Sequence, residues 1–351
     1  MAKNKKNFAP DVSVIIPMYN AENYIEECLQ SLLNQTLKNI EVIVVDDKST
    51  DNSVAVVEKF INNFDGRLNL IKLKKNSGYP GLPRNTALKS AHGKYIYFLD
   101  SDDFIDKTAL EDFYKVAEEF QADVVHAEKY FAEEGDNSRI INIPTDDFVD
   151  KPTLETSDIG KRVMDFTQRK YLWWACNKLF RNKFLAENKI QFPEMKSLED
   201  FVFTFCCVIS AKNYVRVPLV SYHYRKRQDS ISHKPTDAVA VTKNLVKAIS
   251  AMDTYMRRKN FFQDNPNFRY LVVDFFASWQ LSATSQIIFL GGEKSLAQIY
   301  SFYCDEIFGE KNLDNVPFTT YLFIAMNIYK LHTKNLEKQI AELKNQLAKF
   351  Q

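Results

Sequence analysis

Glycine is scarce, at 9 of 351 residues against a usual share of about 7%, which excludes collagen-like repeats and glycine-rich linkers. The five cysteines are an odd number with no C-x-x-C spacing. They suggest neither a disulfide framework nor a zinc site, and a reducing compartment is expected. Charge of one sign is lacking too: Lys+Arg 46 against Asp+Glu 45 leaves +1, which argues against a nucleic-acid binder relying on bulk charge. No stretch reaches about 18 uninterrupted apolar residues; the closest, 270–290, is broken by Asp274, Gln280 and Gln286. The Lys-bearing N-terminus leads into no apolar signal core, so a cytoplasmic chain is expected.

What is present points to a globular protein. Hydrophobic residues are 45% and charged residues 26%, enough to bury a core. The length suggests two domains, or one large domain with a tail. From Asp11 to about His126, short apolar runs alternate with helix-period segments. Strands are expected at 12–17, 40–45, 68–73, 95–99 and 123–127, with helices at 21–35, 53–64, 84–91 and 108–121 between them. That alternation predicts an α/β fold with a mostly parallel, Rossmann-like sheet covered on both faces. Ligands bind such sheets at the carboxyl ends of the strands, so the places to inspect follow Pro17, Val45, Leu73 and Leu99.

Beyond residue 128 the pattern changes. Residues 130–160 are polar and read as loops or a small hairpin; helical segments at 177–188 and 199–212 and short strands over 213–224 follow. From Asp237 onward the chain reads as helices: 237–260, 267–290, 293–307 and 317–350. The expected organisation is a basic N-terminus (1–10), a first half of the main domain (11–128), a second half (129–236), a helical region (237–316) and a C-terminal helix (317–351). In that last helix Met326, Tyr329, Thr333, Leu336, Ile340, Leu343, Leu347 and Phe350 alternate spacings of three and four. The spacing predicts a short coiled coil and homo-oligomerisation through it; the alternative is a terminal helix laid on the protein's own core.

Two clusters carry the chemistry. Asp46-Asp47-Lys-Ser-Thr-Asp51 follows the second strand, and Asp100-Ser-Asp102-Asp103 follows the fourth. Carboxylates crowded beside apolar strand ends repel one another and are costly to desolvate, so something positive is expected to compensate. Asp51 suits a helix N-terminus near Ser53. An Asx-rich turn is one reading of 100–103; a hard cation, Mg²⁺ or Mn²⁺, shared with substrate phosphates is the better one.

Taken together, Val14-Ile-Ile-Pro17-Met-Tyr19-Asn20, Val44-Val-Asp-Asp47-x-Ser-Thr-Asp51, Arg84-Asn85 and Gly93-x-Tyr-Ile-x-Phe-Leu-Asp100-Ser-Asp-Asp103 resemble the family 2 inverting glycosyltransferases. The likeness is strongest over 11–127. It continues more loosely through Trp174-x-x-Asn-Lys178, Glu199-Asp200 and Tyr222-x-Tyr-Arg-x-Arg227. Residues 73–114 look especially like bacterial enzymes that glycosylate cell-wall teichoic acids, which also carry C-terminal self-associating segments. Lys48 stands where many members have a small residue.

The resemblance implies the type A nucleotide-sugar-binding fold and a set of roles. Pro17 and Tyr19 would border the uridine, and Asp47 would accept from the uracil N3–H, rejecting bases with an acceptor there. Asp100 would hold the ribose or its neighbours. Asp102 would bind the metal that bridges the diphosphate, with Asp103 in support. Arg84 would meet the acidic cluster or a phosphate, as a bidentate guanidinium can. Asp200 would be the general base, with Glu199 favoured by the helix dipole beside it. Lys178 would contact donor or acceptor oxygens and Trp173 or Trp174 would stack on a sugar, although core packing is as common for such tryptophans. Arg225 and Arg227 would close over the diphosphate from a mobile flap; a solvated basic loop is the alternative. His223 would be an additional metal ligand, or else a core histidine.

The implied partners are a UDP-sugar and a hydroxyl of a surface glycan or polyol-phosphate acceptor. By family analogy the protein would contact the inner face of the cell membrane. Two alternatives compete. A dehydrogenase needs G-x-G-x-x-G after the first strand, where this chain has Pro17-Met-Tyr-Asn20. A catalytically silent nucleotide-sugar-binding assembly protein is the other, and Asp47, Asp102 and Asp200 together argue against it.

Overall fold

The computed structural model describes residues 9–135, 137–142, 147–226, 238–272, 275 and 340. The chain divides into two compact units, one of residues 1–235 with 246–261, the other of 236–245 with 262–351.

The first unit is built on a mixed sheet in the order β3-β2-β1-β4-β9-β6-β10-β5, with β7 on β6 and β8 on β10. Its strands are β1 (Val12–Met18), β2 (Ile40–Asp46), β3 (Leu68–Lys72), β4 (Tyr95–Phe98), β5 (Phe104–Ile105), β6 (Val124–Glu134), β7 (Asn137–Asn142), β8 (Thr153–Leu154), β9 (Lys178–Arg181) and β10 (Tyr214–Arg225). β1 runs parallel to β2 and β4, β2 to β3, and β6 to β10. β9 is antiparallel to both β4 and β6. Every residue of β1 is buried. Each such apolar side chain contributes about 1.5–3 kcal/mol, whereas an exposed pair such as Lys72–Glu58 adds about 1 kcal/mol at most. The apolar strands, not the surface ion pairs, decide this architecture.

The helices are α1 (Ile25–Leu33), α2 (Ser53–Phe60), α3 (Gly81–Leu88), α4 (Ala109–Glu119), α5 (Ile159–Thr167), α6 (Asn182–Glu187) and α7 (Glu199–Ser210), with a 3₁₀ turn at Ile61–Phe64; α8 (Ala238–Met256) and α9 (Asn260–Asp264) divide between the two units. Pro17 does not stop β1, contrary to expectation. The Ile15 carbonyl accepts from Leu99 N–H, so two residues on the missing N–H of Pro17 falls on the β4 side. There the pairing has already ended, at Ile15–Phe98, and no ladder bond is lost. Gly93 allows another close approach: a Cβ there would lie 2.4 Å from the Ser13 amide nitrogen.

One segment corrects the sequence reading. Residues 177–188, expected as a helix, split into β9 and α6. Leu179 and Phe180 are fully buried because β9 bonds on both sides, to β4 and β6, and this overrides local preference. β5 and α5 had no expected counterpart, and 130–142 forms the β6–β7 hairpin.

In the second unit, residues 238–245, 262–264 and 266–272 are helical. Of the heptad seam only Ile340, helical and exposed, is described; the expected helix 293–307 and Arg227 lie outside the described residues. Among the described residues no helix is long and apolar enough to cross a membrane.

Candidate active site

The carboxyl ends of β1, β2 and β4 bring the first set of expected residues together. Pro17 is buried within β1, and Tyr19 just beyond it is 51% exposed, its ring open to a ligand. Asn20 and Lys48 have φ of +49° and +65°, the left-handed region that bulky residues avoid. Glycine or asparagine would adopt this backbone at less cost than Lys48 does. Asp51 accepts from the Ser53 amide at 3.0 Å and the Glu22 amide at 3.1 Å, so it secures the start of α2 and the approach to α1.

Asp47 is only 4% exposed. Its two oxygens accept from the Ser77 amide and hydroxyl, both at 2.8 Å, while Asn76 Nδ2 donates to the Asp47 carbonyl at 2.8 Å. The sequence reading missed Asn76 and Ser77. The signal available for them was a turn after β3, where Gly78 has φ +78°.

The acids after β4 point in different directions. Asp103 is buried and accepts from the Tyr222 hydroxyl at 2.5 Å and the Arg225 amide at 2.8 Å. It therefore ties the turn to β10. Burial, then repulsion from Asp102 and Asp100, pushes its carboxyl well above the usual range. Asp100 and Asp102 remain partly exposed. Among the described residues no three His, Cys, Asp or Glu side chains are grouped to hold a metal unaided. The oxygen-only donors of Asp100 and Asp102 nevertheless fit Mg²⁺ or Mn²⁺, which take one or two carboxylates and complete their shell with phosphate oxygens and water.

Arg84 joins the two halves of the site. Pro83 sits in the first turn of α3, and the Arg84 side chain is 3% exposed. Its guanidinium reaches Asp100 Oδ1 at 2.8 Å, Asp200 Oδ1 at 2.7 Å and Glu199 Oε1 at 3.5 Å, with the Phe192 ring centroid 5.1 Å away. One cation thus faces three carboxylates. Leu198, immediately before the acidic pair, has φ +72°; such a conformation in a γ-branched residue costs about 1–3 kcal/mol and aims α7 at the cleft. The Asp200 side chain is 22% exposed. Burial raises its carboxyl, while Arg84 and the Ala175 amide draw it back down. Burial and repulsion from Asp200 push Glu199 up to about 7.

Three residues with expected roles make other contacts here. Lys178 is fully buried and donates to the Trp174 carbonyl at 2.5 Å; burial lowers it to about 7, and it meets no open surface where a donor would lie. His223 is stacked between Phe104 and Phe131, with centroids 4.3 and 4.5 Å away. Its Nδ1 faces Glu133 at 2.7 Å and its Nε2 faces Asp106 at 3.2 Å. Both ring nitrogens thus face carboxylates, and the ring packs between two phenylalanines. Arg225 ends β10 instead of riding on a flap, and its guanidinium pairs with Glu27 and lies 5.3 Å from the Tyr24 ring. Trp173 packs on Phe201 at 5.1 Å.

Residues 13–185 match the model of Glycosyl transferase family 2. The chain is 36% identical over 256 residues to the poly(ribitol-phosphate) beta-glucosyltransferase of Bacillus spizizenii, covering 71% of this chain and 38% of that protein. It is 36% identical over 220 residues to the poly(ribitol-phosphate) beta-N-acetylglucosaminyltransferase TarS of Staphylococcus aureus, covering 62% of this chain and 36% of TarS. The crystal structure of TarS residues 1–349 with UDP-GlcNAc superposes with a TM-score of 0.57 at 28% identity, over 76% of this chain and 80% of that one. The chain spans little more than a third of the length of these curated relatives.

Proposed function

The chain belongs to glycosyl transferase family 2 and has its type A fold, and from that premise we propose that it moves a hexose or N-acetylhexosamine from a UDP-sugar to a hydroxyl of a polyol-phosphate or glycan acceptor, with inversion. The observation carrying this reading is the single guanidinium of Arg84 that holds Asp100, at the nucleotide-side strand end, and Asp200, from the second half, to one cleft.

Tyr19 would lie against the base, and Asp47, held by Ser77, would accept the uracil N3–H. Asp102, with Asp100, would hold Mg²⁺ or Mn²⁺, which when bound neutralises charge on the diphosphate. Asp200 would take the proton from the acceptor hydroxyl as that oxygen attacks opposite the leaving UDP, a contribution of about 10²–10⁴. Attack from that face inverts the anomeric centre in one step. The reaction would take place in the cytoplasm, against the inner face of the membrane where surface polymers are built.

The test is release of UDP from a panel of UDP-sugars, with Mn²⁺ and after EDTA. Turnover is expected with metal only, and Asp102→Asn should lose both turnover and metal-dependent UDP binding. Metal-independent turnover, or none with any UDP-sugar, overturns the reading. Self-association through the heptad seam belongs to the same proposal. Deleting residues 334–351 should lower the mass measured by light scattering; an unchanged mass rejects the seam.

A further inference from the structure

Three aromatic rings stand beside the base and have no part in the donor chemistry above. Trp174 lies 4.9 Å from Tyr130 and 5.5 Å from Tyr224, and Tyr130 lies 6.3 Å from Tyr224. They come from β6, the segment entering β9, and β10. All three are only half-buried. The contrast is with Phe98, Phe180, Phe192 and Phe203, which also cluster edge and face but are at most 2% exposed. A ring cluster serving only the core closes like the second; the residues of the first stay partly accessible to solvent.

Its position is fixed from both sides. The residue after Trp174 is Ala175, whose amide bonds to Asp200, and the Trp174 carbonyl holds Lys178. The indole therefore sits one residue from the base's own hydrogen bond. Tyr224 lies two residues along β10 from Tyr222, which holds Asp103, so both point to the same face of the strand. The exposed Arg139 of β7 brings a positive charge to bear on the Tyr130 hydroxyl.

We propose that Tyr130, Trp174 and Tyr224 form the acceptor platform: the ring faces take the C–H side of a polyol or sugar unit, and Arg139 takes the phosphate next to it. Aromatic faces provide large contact area with defined geometry, and guanidinium matches phosphate in a bidentate way. A polyol-phosphate chain offers both features in alternation. The inference rests on the glycosyltransferase reading for its claim about which substrate lands here.

The experiment uses the full chain and a synthetic ribitol-phosphate hexamer, in two arms. In calorimetry without donor, Trp174→Ala and Tyr130→Ala should each weaken hexamer binding about tenfold, the loss expected from one ring's stacking and area. Trp174→Phe, which keeps a ring, should recover most of it, so a folding defect is distinguished from a lost contact. Arg139→Ala should weaken binding and flatten its dependence on salt. In kinetics with the donor, the ring variants should raise the acceptor KM far more than the donor KM. Unchanged hexamer affinity in Trp174→Ala, or equal effects on both KM values, overturns the platform while leaving the glycosyltransferase reading intact. Absence of UDP-sugar turnover in the unmodified chain sinks that reading, and the calorimetric arm still decides the platform.

Discussion

Asp200→Asn is expected to lower sugar transfer about 10²–10⁴-fold, the range a positioned general base contributes, while UDP affinity in the presence of Mn²⁺ stays within a few-fold. Asparagine keeps the shape and one oxygen, so the Arg84 contact at 2.7 Å has a surviving acceptor, but the amide cannot take a proton from an alcohol. Single-turnover transfer and UDP titration on the same preparation check this. An equal loss of UDP affinity in Asp200→Asn and Asp102→Asn would remove the division of labour between base and metal ligand.

Arg84→Gln is expected to be the most damaging substitution away from the reacting atoms. It takes the cation from Asp100, Glu199 and Asp200 together, and breaking a buried charge pair costs about 3–5 kcal/mol. The lower end applies, since the Asp100 side chain is 36% exposed. Its pH signature separates it from a simple packing loss. A general base must be ionised, so Asp200 in the proposed role would act as the carboxylate; Arg84 stabilises that form and so lowers the carboxyl. Removing Arg84 raises it, and the acid limb of kcat/KM should move to higher pH by about 1–3 units, the effect of an opposite charge close by. The stability loss relative to the unmodified chain should grow as pH rises through about 7, because Glu199, pushed up to about 7 with Arg84 lowering it, goes higher still once that cation is gone. Denaturant melts at pH 6 and pH 8.5, with the pH–rate profile, test both; an unmoved limb means that Arg84 does not set the state of the base.

The first half of the fold was legible because β1, β2 and β4 are buried on both faces and read as apolar runs broken only by Ser13, Pro17 and Glu41 before the polar positions that follow. Motif order singled out Pro17, Tyr19, Asp47, Arg84, Asp100, Asp102 and Asp200, and of these the structure brings Asp100 and Asp200 together on Arg84. What stayed hidden depends on contacts distant in sequence. Ser77 meets Asp47 across 30 residues. Neighbouring carboxylates look alike in a sequence, yet Asp103 turns to Tyr222 while Asp100 turns to Arg84. The ring of His223 is ruled by two phenylalanines and two acids from separate segments, and no local spacing announces that. β9 is four residues long, too short for a period of two to be told from one of 3.6.

The reversed direction of β9 has a consequence for where chemistry can be assembled. A strand running against β4 begins at the edge where β4 finishes, so Trp174 to Asn177 enter the sheet beside the tip of β4 and just past His126 on the longer β6. Had the strand run the other way, its leading residues would have emerged on the far rim, roughly 13 Å off at about 3.3 Å per residue. A single inverted ribbon between two co-directional blocks thus lets a distant stretch of chain deliver a main-chain donor and an indole to the same mouth.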